Sequence, residues 1–163
     1  MLRQVLYLSL VFLMSACGFQ LRGTTEALDH TYASIRILDK SGDLVFQREL
    51  EQALRDAGVR VSADSSYILT INKTHHKKRT ASYSSRAKSA EYELIKDVSF
   101  QFNQEKSTLI PRTSLQTRRS YLYRETVAVG KAEEERLLRT EMDQDLAQRI
   151  LLSLQRSIRE SHP

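Results

Sequence analysis

Residues Glu91 to Asn103 alternate in polarity. Tyr92, Leu94, Val98, Phe100 and Phe102 fall on one parity, and Glu91, Glu93, Asp97, Ser99, Gln101 and Asn103 on the other; only Ile95 and Lys96 break the pattern. A strand turns successive side chains to opposite faces, so this run predicts a long strand with one face in a core and one face wet. Tyr67, Leu69 and Ile71 show the same period, and that strand runs on through a basic stretch to about Tyr83. Gln104-Glu105-Lys106-Ser107 reads as a hairpin turn. A last strand is predicted from about Leu115 to Arg124, with Tyr121 and Tyr123 on one side and Pro111 at its start or on a sheet edge. Ile35 and Ile37 within Ala33–Leu38 predict a short first strand.

Two segments change to a helical period. Phe46, Leu50, Ala53, Leu54 and Ala57 recur at spacings of three and four, with Asp43 placed as N-cap and Gly58 as the residue that ends the helix. From Lys131 to about Arg159, Leu138, Met142, Leu146, Ile150, Leu154 and Ile158 form one apolar stripe, widened by Ala147 and Leu151. The order is β-α-β-β-β-α. It predicts an α+β two-layer sandwich, a four-stranded mixed sheet with both helices on its apolar face. The β-α-β opening makes part of that sheet parallel.

The first residues follow another logic. Arg3 precedes a short apolar run from Val5 to Met14, and Ser15-Ala16 stand before Cys17, the only cysteine. This is the layout of a secretory signal peptide, and Met14-Ser15-Ala16-Cys17 is similar to a bacterial lipobox. The expected divisions are a removed signal peptide over 1–16, a lipidated tether over 17–32 and one domain over 33–160. Covalent lipid on Cys17 is then the only non-protein group expected. Gly18 after that cysteine points to the outer membrane, by analogy with lipoprotein sorting. Two or three acyl chains anchor stably, at ~0.8 kcal/mol per buried CH₂.

Cys17-Gly18-Phe19-Gln20-Leu21-Arg22-Gly23 resembles the mature N-terminus of the lipopolysaccharide-assembly lipoprotein family LptE. Thr80-Ala81-Ser82, Ala90-Glu91-Tyr92 and Glu141-Met142 agree with the same family, as do length and element order. The resemblance implies a lipoprotein on the periplasmic side of the outer membrane, seated as a plug in the barrel LptD and helping to deliver lipopolysaccharide. It also implies lipopolysaccharide contacts from basic residues in two loops. Those positions fall here at Lys131 and at Ser85 or Arg86, of which Arg86 is the basic candidate, supported by Lys88.

The chain carries 25 Lys and Arg against 20 Asp and Glu, a formal charge of +5. Lys73–Arg124 holds twelve basic and four acidic residues, and Lys73–Ala90 has no acid. Arg grips phosphate bidentately and Lys acts as a point charge. The same run also suits a solvated face that protects an edge strand, and the residues alone leave both readings open. Interleaved aromatics such as Tyr83, Tyr92, Tyr121 and Tyr123 superficially fit a single-strand nucleic-acid surface, but Tyr92 shares its parity with the core and the export signal takes the chain away from nucleic acid. No catalytic constellation stands out. His75 and His76 are adjacent and point to opposite faces of a strand, and Glu133-Glu134-Glu135 suits a helix N-terminus. The expected protein is therefore non-enzymatic, and the resemblance implies LptD and lipopolysaccharide as its partners. The alternative is a periplasmic lipoprotein that carries or senses an anionic lipid without a barrel.

Overall fold

The computed structural model describes residues 28, 32–83, 89–122 and 128–161. The elements are β1 (Ser34–Asp39), α1 (Leu44–Asp56), β2 (Arg60–Val61), β3 (Tyr67–Tyr83), β4 (Ser89–Gln104), β5 (Ser107–Leu122) and α2 (Ala128–Ser161). The sheet has five strands in the order β2-β1-β3-β4-β5, not the four expected. The extra strand, β2, is two residues long and pairs parallel to Ser34 and Ile35. A segment that short has no period to read. β1 and β3 are also parallel, while β3, β4 and β5 form an antiparallel meander.

Local chemistry sets the ends of α1. The Asp43 carboxylate accepts from the Phe46 backbone N–H at 3.1 Å, which fixes the helix start. At the other end Gly58 takes a positive φ of 81°, its N–H bonds to the Arg55 carbonyl at 2.9 Å, and the Val59 N–H bonds to the Leu54 carbonyl at 2.9 Å. These paired bonds satisfy carbonyls left open by the last turn.

Both helices cover one face. Val98, Phe100 and Phe102 of β4 share a buried core with Leu146, Ile150 and Leu154 of α2 and with Phe46, Leu50 and Leu54 of α1, as the two periodicities predict. Leu28 and Tyr32 are buried in the same core, and Tyr32 donates to or accepts from Ser157 Oγ at 3.1 Å. The packed body therefore reaches back to Leu28, ahead of the expected start at residue 33. Cys17 and most of the expected tether lie outside the described residues.

β5 begins at Ser107, well before the expected Leu115, and takes Pro111 into its interior. It is an edge strand, and its register against β4 shifts between Phe100 and Phe102, so a missing N–H is tolerated there. The helix expected from Lys131 starts at Ala128.

The break seen at Ile95 and Lys96 is one of polarity and not of direction. Lys96 keeps the inward parity of Leu94 and Val98 and is 1% exposed. Its ammonium bonds to Asp143 of α2 and, at 2.9 Å, to Asp43 Oδ2 at the start of α1; it also lies 4.6 Å from the Phe46 ring centroid. Burial raises the Asp43 carboxyl, but hydrogen bonds from His76, the Phe46 N–H and Lys96 outweigh it and hold the group well below its ordinary value. Burial pushes the Asp143 carboxyl up, even with the ammonium against it.

Two stability measurements check this packing. Phe100→Ala should cost ~3–5 kcal/mol in denaturant unfolding, whereas outward-facing Gln101→Ala should cost well under ~1 kcal/mol. Lys96→Met should lose ~3–5 kcal/mol because it strands buried carboxylates, and adding Asp143→Leu should recover much of that loss. A double variant no more stable than Lys96→Met would refute the pairing.

Candidate functional site

The basic run occupies β3, and its placement depends on one irregularity. Up to Ile71, the odd residues of β3 face the helices: Leu69 pairs with Phe102 and Ile71 with Phe100. The register shifts between Ile71 and Lys73. Beyond this bulge at Asn72 the even residues face inward, with Thr74 opposite Val98, His76 opposite Lys96 and Lys78 opposite Leu94. Lys73, His75, Lys77 and Arg79 are thereby turned to the helix-free face.

The two inward basic residues meet acids from the helices. His76 Nε2 lies 3.0 Å from Asp43 Oδ2, joining the Lys96 cluster. Lys78 Nζ donates to Glu135 Oε2 of α2 at 2.6 Å and lies 4.3 Å from the centre of the Tyr92 ring. Glu135 also accepts from the Tyr121 hydroxyl at 2.5 Å and from Arg139 Nη2 at 2.7 Å. Burial raises the Glu135 carboxyl, but these three donors win and bring it down to about 2. Tyr92 and Tyr121 pack on each other with ring centroids 5.7 Å apart, and Leu94, Met142 and Leu138 complete a second small core. Their rings are consequently unavailable for stacking on bases.

This knot sits near one end of the molecule. Tyr83 pairs with Ser89, and Glu91 with Leu122, so the β3–β4 connection and the end of β5 share that end of the sheet. The N-terminus of α2 joins them, because Glu135 bonds to both β3 and β5. Lys131 stands one turn before Glu135, in the opening of α2 and not in a loop, and its ammonium bonds to Glu134 with the side chain 20% exposed. Arg86 and Lys88 lie outside the described residues. The topology brings the ends of their segment to the same side as Lys131.

Sequence reading did not single out Lys78, Glu135 or Lys96 as partners. The signal for Lys96 was present as a charge on a core parity. For Lys78 and Glu135 the pairing follows only once the bulge and helix packing are known. Among the described residues no three His, Cys, Asp or Glu side chains gather as metal ligands, and no helix is long and apolar enough to cross a membrane.

Acid should loosen this end of the fold. Because the folded Glu135 carboxyl titrates near 2 against an ordinary 4.5, its stabilisation is complete above about pH 4.5 and is lost as pH falls toward 2. Glu135→Gln should melt lower than the parent at neutral pH and show a shallower fall below about pH 4.5. Parallel melting curves for the two proteins across that range would contradict the assignment.

Solved structures share this architecture. A rare lipoprotein B from Shewanella oneidensis is 25% identical, with a TM-score of 0.68 over 79% of this chain and 99% of that one. A lipoprotein B from Nitrosomonas europaea, 24% identical, gives a TM-score of 0.68 over 82% of this chain and 88% of its own. A minor lipoprotein from Acinetobacter baumannii, 20% identical, gives 0.64 over 76% and 91%. No curated protein sequence matches the chain. The lipopolysaccharide-assembly family LptE matches residues 33–154, from the residue before β1 to the core-facing Leu154 of α2. The chain belongs to the LptE family of lipopolysaccharide-assembly proteins.

Proposed function

We propose that this protein is a non-catalytic outer-membrane lipoprotein that plugs the barrel LptD and contacts lipopolysaccharide on its way to the outer leaflet. Family membership across the folded body carries the reading. Acyl chains on Cys17 hold the protein at the periplasmic leaflet, and no cofactor beyond that lipid is required. Arg86, Lys88 and Lys131 meet the phosphates of the glycolipid at the loop end of the sheet. Tyr83 and Ser89, which flank the segment carrying Arg86 and Lys88, lie at the same end as the start of α2, and this supports the reading. The Lys78–Glu135–Tyr121 knot anchors that end from inside, so changes to the outer cations leave the fold intact.

Mass spectrometry of the mature N-terminus should find an acylated Cys17, and Cys17→Ser should release a folded soluble form. A mature chain starting elsewhere would sink the anchor. Replacing Arg86 and Lys131 together by Asp should weaken lipopolysaccharide binding by tenfold or more at physiological salt, while single changes to Ala stay nearly silent, since an exposed charge contact contributes under ~1 kcal/mol. Binding should also weaken as salt rises. Unchanged affinity in the double reversal would make the basic run a solvated face. Extraction of LptD together with the parent protein separates the plug from a lipid carrier that works without a barrel.

A further inference from the structure

The face of the sheet away from the helices carries a second pattern, read across the strands. After the bulge its rungs run from β3 through β4 to β5. Lys73 stands opposite Ser99 and Ser114, His75 opposite Asp97 and Gln116, Lys77 opposite Ile95 and Arg118, and Arg79 opposite Glu93 and Ser120. In two of these rungs the central residue is an acid that its neighbours engage. Asp97 accepts from Gln116 Nε2 at 2.6 Å, and Glu93 pairs with Arg79 and, at 4.0 Å, with Arg118. In the other two rungs the central residue is neutral. Among the described residues, no carboxylate pairs with Lys73 or Lys77, and none with Arg112, whose Nε donates to Ser99 Oγ at 3.2 Å beside the Lys73 rung. Unneutralised cations thus recur every second rung, about 13 Å apart along the strands at ~3.3 Å per residue.

The chemistry of the face narrows what can cover it. Its only large apolar residue along these rungs is Ile95, 8% exposed beneath its neighbours, so acyl chains find no apolar bed. Tyr92 and Tyr121 face the other way, which leaves no ring for a base. A second copy would set cation against cation. We infer that this face is a docking surface for a polar protein wall bearing carboxylates, namely the hydrophilic inner wall of the barrel partner, with Lys73, Lys77 and Arg112 opposite its acids. The interior of a large membrane barrel is polar, and paired charges set orientation more than they set affinity. The inference rests on the barrel-partner reading above and assigns the face by which the protein sits in that partner.

The test is co-purification with LptD from detergent extracts of cells expressing the full-length lipoprotein. Lys73→Glu/Lys77→Glu/Arg112→Glu should lower the recovered barrel at least tenfold. Reversal of three exposed helix cations, Arg48, Arg55 and Arg156, to Glu should leave recovery unchanged. Lipopolysaccharide binding and the melting temperature of the purified triple variant should match the parent. The milder Lys73→Gln/Lys77→Gln/Arg112→Gln should give an intermediate loss if reversal perturbs folding. Equal recovery from the triple reversal and the parent overturns the inference and leaves the barrel reading intact. Loss of lipopolysaccharide binding with the barrel retained overturns it in favour of a glycolipid face, and equal loss from the helix control reduces it to net charge. A parent that brings down no barrel overturns both readings.

Discussion

A lysine ammonium inside the protein holds the layers in place. Lys96 stands on the core-facing parity of β4, and its charge is compensated by Asp43 at the start of α1 and Asp143 in α2. Taking an ammonium out of water costs several kcal/mol, so the arrangement persists only while both carboxylates stay in position. The two helices are thereby fixed relative to the sheet by a directional contact, which apolar packing alone does not supply. Asp43 serves twice, since one oxygen caps α1 while the other receives Lys96 and His76. A change at Asp43 therefore disturbs the helix start and the buried charge together.

The bulge at Asn72 governs the functional end. Without it, every basic residue from Lys73 onward would face the opposite way. With it, His76 and Lys78 go inward to acids on the helix side, and Lys73, His75, Lys77 and Arg79 go outward. One basic run becomes two chemically different sets. The inward set stabilises, because Lys78 ties β3 to α2 through Glu135 and Tyr121. The outward set faces away from the helices, with Arg79 held by Glu93 and, among the described residues, Lys73 and Lys77 without a carboxylate, so that neutralised and bare rungs alternate.

The family gives these features a common setting. Lipopolysaccharide assembly handles an anionic glycolipid, and a cation-bearing sheet with little exposed apolar surface suits such surroundings. The fold places the β3–β4 connection and the start of α2 at one end and the alternating rungs along the sheet.

Much of this was legible in the order of residues. Strand parity in β4, the stripe of α2, the cap at Asp43 and the stop at Gly58 are local patterns, and local patterns follow from the backbone geometry of the segment that holds them. Lys96 also left a trace, as a charge on an apolar parity, but its meaning lay in partners 53 and 47 positions away. β2 left none, because two residues make no period. The bulge at Asn72, which decides where each basic side chain points, is a property of how β3 pairs with β4 and not of β3 itself. The sequence by itself determined which elements form and which faces are apolar. Only the tertiary structure decided which charges are buried, which are neutralised and which remain for a partner, because those outcomes depend on register and on contacts between segments far apart in the chain.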